Sequence, residues 1–228
     1  MSKQQFQCPD CNEIFTLEDT VFMEPESDQL IELYQGKLNL YACRNCGKQV
    51  WIDRDMVYKD TPRKKVIFYK ADISEAQIDQ QLDDVQDKLG FQTDKSEDQP
   101  AWRLTVNHVD FVEKIYLHIH EYDDRVIEYI KSFLFNHNPG LEPTKHDLRY
   151  DFSCKKQEEL RFMAIDRKTK QAVFQIDFDL DDYHNLEDEL LGEEEQRNRL
   201  HACFRGDANY VQVEDLVEQN SEADTLIE

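Results

Sequence analysis

Glycine and proline are scarce in this chain of 228 residues, six of each. Nucleotide-binding folds and phosphate-cradling loops set several glycines at defined turns, and the six here are scattered. No apolar run approaches the roughly 20 residues of a membrane-spanning helix, and Met1 to Phe6 carries no apolar core of a secretory signal. The expectation is a cytoplasmic protein that avoids membranes. Cations are also in deficit, 27 Lys and Arg against 49 Asp and Glu. The acidity is general: 12 basic against 20 acidic residues in 1–99, and 15 against 29 in 100–228. Binding to polynucleotides depends on a concentrated cationic surface that displaces counterions, so most of this surface repels them. There is no His-Glu-x-x-His helix and no serine on a nucleophile elbow. Carboxylate pairs are guaranteed by abundance and identify no acid or base. An enzyme is not expected.

Against these absences stand two Cys-x-x-Cys pairs, Cys8/Cys11 and Cys43/Cys46. Four thiolates presented on two knuckles suit zinc, which closes its shell with four soft ligands in a tetrahedron; a catalytic zinc keeps one position open. The residue after the second cysteine of a knuckle often turns with positive φ, which Gly47 does without steric cost and Asn12 tolerates. Arg44 and Lys48 flank the second knuckle and can offset the charge of a zinc tetrathiolate. The 31 residues between the knuckles exceed the usual ribbon spacing, so a folded insertion must fill them. Disulfides and redox Cys-x-x-Cys chemistry are the competing uses of these thiols; a reducing compartment favours metal. Cys154 and Cys203 are isolated and read as buried apolar residues.

The segments Phe6 to Cys11, Gln35 to Asn39, Tyr41 to Gly47 and Tyr58 to Asp60, followed by Val112 to Ile115 and Asp123 to Lys131, together resemble the bacterial and archaeal CpXC family. The likeness covers about the first 135 residues. Arg44 stands where the family often has proline, which changes turn rigidity and leaves the sulfurs in place. The resemblance implies zinc binding through Cys8, Cys11, Cys43 and Cys46 and implies no reaction.

The periodicity predicts an α+β protein: an N-terminal zinc-ribbon-like domain, then a domain of mixed helix and antiparallel sheet. Residues 1–71 form the zinc-binding region. Ile14 to Thr16 and Val21–Phe22 read as strands, Asp28 to Gln35 as a short helix ended by Gly36, and Gln49 to Ile52 and Val66 to Tyr69 as strands of a ribbon around the metal. Residues 72–100 hold a helix over 74–89, with Ser74 and Gln77 as a capping box and a stripe of Ile78, Leu82, Val85 and Leu89, then a polar linker over 92–100 that marks the domain boundary. Residues 101–217 carry helices capped by Asn107 and Asp123, the second with a stripe of Val126, Ile127, Ile130, Phe133 and Leu134. Alternation at Leu148, Tyr150 and Phe152, at Leu160, Phe162 and Ala164, and at Phe174, Ile176 and Phe178 predicts antiparallel strands with one buried face. An acidic helix around 182–200 and a last strand at Val211 and Val213 follow, and 218–228 is a fraying tail.

Three weaker features have ordinary readings beside functional ones. His118 and His120 share a face only on a strand, and otherwise are plain surface or satisfied histidines. Glu193 to Glu195 and Asp181–Asp182 lack the ligand spacing of a calcium loop and read as solvated. Lys59, Arg63, Lys64 and Lys65, with Trp51 and Tyr58 nearby, form one local basic cluster that can touch nucleic acid. The favoured function is therefore a non-enzymatic protein whose zinc holds the N-terminal domain together and whose acidic second domain supplies a surface for a protein partner. Nucleic-acid contact through the basic hairpin is one alternative, and thiol or zinc handling is the other.

Overall fold

The computed structural model describes residues 3–88, 100–153 and 158–216, and divides into two compact units, Met1–Ile115 and Tyr116–Glu228. Its helices and mixed and antiparallel sheets make it an α+β protein. Among the described residues no helix is long and apolar enough to cross a membrane.

In the first unit, β1 (Lys3–Gln7) and β2 (Ile14–Glu18) pair as an antiparallel hairpin, and β3 (Thr20–Met23) leads to α1 (Asp28–Tyr34). Ser27 caps α1 by accepting from the Leu30 N–H. At the other end Gly36 takes φ +66°, so that its N–H reaches the Leu33 carbonyl and the Lys37 N–H the Glu32 carbonyl. This is the left-handed termination that only glycine adopts without strain. A second hairpin follows, β4 (Leu40–Ala42) with β5 (Gln49–Trp51). Then come β6 (Asp55–Asp60), β7 (Lys65–Tyr69), α2 (Ile78–Lys88) and β8 (Ala101–Thr105).

The four-stranded sheet runs β3-β6-β7-β8, with β3 parallel to β6, β6 antiparallel to β7 and β7 parallel to β8. Met23, Met56, Tyr58, Ile67 and Leu104 are buried on it. In α2 the predicted stripe residues Ile78, Leu82 and Val85 are buried; Leu89 lies outside the described residues. A 3-10 turn, Glu75–Gln77, precedes it, and the Gln77 side chain accepts from both the N–H and the hydroxyl of Ser74.

Two expectations about this unit need correction. Strands β5 and β7 do not share one ribbon around the cysteines: β5 pairs with β4, whereas β7 is central in the other sheet. The polar stretch 92–100, of which 92–99 lie outside the described residues, is followed by a strand of the same unit. Val66 and Ile67 are both buried, so β7 is covered on both faces. Its backbone groups then require partners on both edges, and β8 supplies the second. The chain passes from the first unit to the second at Ile115/Tyr116, within the span of α3 (His108–Ile119), whose cap Asn107 accepts from the Val109 N–H.

The second unit contains α4 (Asp124–His137), capped by Asp123 as predicted. A three-stranded antiparallel sheet, β11-β10-β9, follows, from β9 (His146–Tyr150), β10 (Glu159–Asp166) and β11 (Ala172–Asp179). Phe162 pairs with Tyr150 on one side and Ile176 on the other. Val126, Ile127, Ile130, Leu134, Leu148, Leu160, Phe162 and Ala164 form the core with Tyr183. Phe133 is an exception to its predicted stripe: it is 42% exposed and stacks on His137. The predicted acidic helix is two helices, α5 (Leu180–Gly192) and α6 (Glu194–Ala202), because Glu193 is extended at φ −98°, ψ 141°. A short α7 (Arg205–Ala208) follows. Val211 and Val213 form no strand; each is buried in a hydrophobic cluster, so their spacing reflects packing. The predicted tail lies outside the described residues.

Candidate metal centre

Both cysteine pairs sit at hairpin tips built in the same way. In the first, between β1 and β2, the Cys8 N–H donates to the Glu13 carbonyl at 2.8 Å and the Asn12 N–H to the Cys8 carbonyl at 2.9 Å. Between β4 and β5, the Cys43 N–H donates to Lys48 and the Gly47 N–H to Cys43, both at 2.8 Å. Asn12 and Gly47 occupy equivalent places with φ 60° and 75°. Each turn thereby folds its two thiols to one side.

The four Sγ atoms lie within 4.8 Å of one another, and among the described residues they are the group of three or more Cys, His, Asp or Glu that can hold a metal ion. Cys8 lies 3.7 Å from Cys46, and Cys11 lies 3.5 Å from Cys43. Cys8 and Cys43 are buried and Cys46 is exposed. The proton affinities diverge across this cluster. Cys11 is lowered to about 7 by the Glu13 backbone N–H and the Asn45 side chain. Cys46 is pushed up to about 12: the Lys48 backbone N–H pulls it down, but desolvation and the neighbouring thiols outweigh that. Like charges at this separation disfavour one another, so full ionisation of the set calls for a cation among the sulfurs. Lys48, expected beside the cage, forms an ion pair with Asp10 of the other knuckle at 3.5 Å; both are half exposed, and such pairs contribute little.

Arg54 carries no sequence signal, yet it links the two hairpins. It donates to the Glu18 carbonyl at 2.7 Å, to Asn39 Oδ1 at 3.2 Å and to the Tyr41 hydroxyl, and lies over the Tyr41 ring. Asn39 is fully buried and its carbonyl accepts from Ile52.

The remaining sequence candidates are dispersed. Lys59, Arg63, Lys64 and Lys65 lie at the β6–β7 hairpin, where Arg63 is 3.3 Å from the buried Asp60. Tyr58 is fully buried and offers no face for stacking a base, and Trp51 meets the His108 ring edge-on at 5.4 Å. His118 lies in α3 and His120 just beyond it, so the strand that a joint site requires is missing. The acidic runs at 181–182 and 193–195 join no metal-holding group among the described residues. Cys203 is half-buried, with its thiol 3.3 Å from the Arg199 carbonyl and its proton affinity raised by burial; Cys154 lies outside the described residues.

An α+β protein with a four-cysteine group on paired hairpins is the class these features define. The chain belongs to the CpXC family: the model described as CpXC protein matches residues 6–131, over half of the chain. No curated protein and no solved structure matches it.

Proposed function

We propose that this chain is a non-enzymatic, cytoplasmic protein-interaction module in which one zinc ion, bound by Cys8, Cys11, Cys43 and Cys46, holds two hairpins together. The observation that carries the reading is the sulfur geometry. Zinc bonds thiolate at about 2.3 Å, which sets a tetrahedron edge of about 3.8 Å, close to the 3.7 Å and 3.5 Å separations of the paired sulfurs. A shell of four thiolates leaves no position for substrate, and this supports a structural role. The burial of Tyr58 and the pairing of Arg63 with Asp60 weigh against nucleic-acid contact at the basic hairpin.

X-ray absorption at the zinc edge tests the reading. Four sulfurs at about 2.3 Å are expected from the purified protein. A shell that includes oxygen or nitrogen would refute the closed site.

A further inference from the structure

A cleft of about 810 Å³ opens in the first unit, lined by residues of β2, β3, α1 and β4. Leu17, Val21, Phe22 and Leu40 give it an apolar wall, and Phe22 and Leu40 remain 53% and 37% exposed. Among the described residues β3 pairs only with β6 and β4 only with β5, so each strand contributing to the cleft keeps one unpaired edge. Arg54 also lines the cleft and is 7% exposed. A guanidinium has five N–H donors, and three are used here, all on neutral acceptors: the Glu18 carbonyl, Asn39 Oδ1 and the Tyr41 hydroxyl. Among the described residues Arg54 forms no ion pair, and its Nε–H has no hydrogen-bond partner. A buried cation without a counter-ion is destabilising. That is unexpected in a chain of net charge −22, where carboxylates are abundant. The charged side chains lining the cleft, Glu18, Glu32, Lys37 and Arg54, sum to zero, so the cleft is spared the acidity of the rest.

We propose that this cleft binds the C-terminal end of an extended peptide, its terminal carboxylate toward Arg54 and its last apolar side chains against Phe22 and Leu40. Carboxylate capture beside an open strand edge is a recurrent mode of peptide recognition, and the volume falls in the usual range for ligand sites. The inference rests on the protein-interaction reading above and names that partner's chemistry.

The test uses the zinc-loaded full chain and a fluorescein-labelled pentapeptide ending in Val-Leu-Phe, made as the free acid and as the C-terminal amide, read by fluorescence anisotropy. Losing a charge-assisted hydrogen bond weakens binding by about tenfold or more, so the amide should bind at least that much less tightly. Phe22→Asp, a change at an exposed side chain outside the Arg54 contacts, should abolish binding while circular dichroism stays unchanged, and Lys37→Glu should weaken it. Equal binding of acid and amide, indifference to Phe22→Asp, competition by octanoate at the peptide's own concentration, or no binding up to millimolar peptide would each overturn the proposal. Zinc content and circular dichroism of the same sample separate the two readings. A folded, zinc-loaded chain that ignores the peptide refutes the cleft alone, whereas a folded chain without zinc refutes the metal centre.

Discussion

Gly47 offers a clean perturbation of the metal centre. It sits at φ +75°, and a Cβ built there meets nothing within 4 Å, so only the backbone resists a side chain. For an L-residue the left-handed conformation costs about 1–2 kcal/mol. Because metal affinity and knuckle geometry are coupled, the penalty falls on the bound state, which needs this turn, and much less on a chain free to relax. At about 1.4 kcal/mol per tenfold, Gly47→Ala should weaken zinc binding roughly 5- to 30-fold. Gly47→Val should be worse, since β-branched residues are true outliers at positive φ. Gly47→Asn should be mildest, because asparagine tolerates this region and already fills the equivalent place at Asn12, φ 60°. Competition against a chromophoric chelator reads all three. An alanine variant that binds as the parent does, or an asparagine variant weaker than alanine, would refute the reasoning.

Tyr183 is fully buried; its hydroxyl accepts from the Asp123 N–H and donates to Glu187, both at 2.8 Å, so Tyr183→Phe should lose about 1–3 kcal/mol in urea unfolding, and a change below about 0.5 kcal/mol would contradict the role. The buried Nε2 of His108 has no hydrogen-bond partner among the described residues, and burial holds its proton affinity below 6.5 against the opposing pull of Asp53. The neutral ring is thus favoured in the fold, and its contribution is full above about pH 6.5 and lost as pH falls through that value toward the lower folded one. His108→Phe should flatten the fall in urea midpoint below pH 6.5, and parallel pH curves for variant and parent would refute this. Strong chelation should remove hydrogen-exchange protection from β1–β5 and leave β9–β11 protected; uniform loss would mean that the two units unfold as one.

The parts of the fold legible in the sequence are those whose cause is local. Ser74, Asn107 and Asp123 announce helix starts, because a cap needs only its own side chain and the next few N–H groups. Gly36 and Gly47 announce turns for the same reason. The cysteine set is legible because sulfur chemistry at fixed spacing has few uses. Long-range pairing is where the reading stops. Strand β1 is nearly all exposed and shows no alternation, and β8 belongs to the first unit only because β7 lacks a partner on that edge. Val211 and Val213 share the spacing of a strand, yet each fills a separate cluster. Arg54 was invisible, since a lone arginine between two aspartates acquires meaning only when Glu18, Asn39 and Tyr41 are folded around it.

Metal content per chain tests the centre most directly. Elemental analysis of the parent and of the Cys154→Ser, Cys203→Ser double variant should return one zinc for each chain, and Cys43→Ser should return none or a fraction. Metal lost from the double variant, or a full zinc retained after Cys43→Ser, would contradict the assignment of the site to Cys8, Cys11, Cys43 and Cys46.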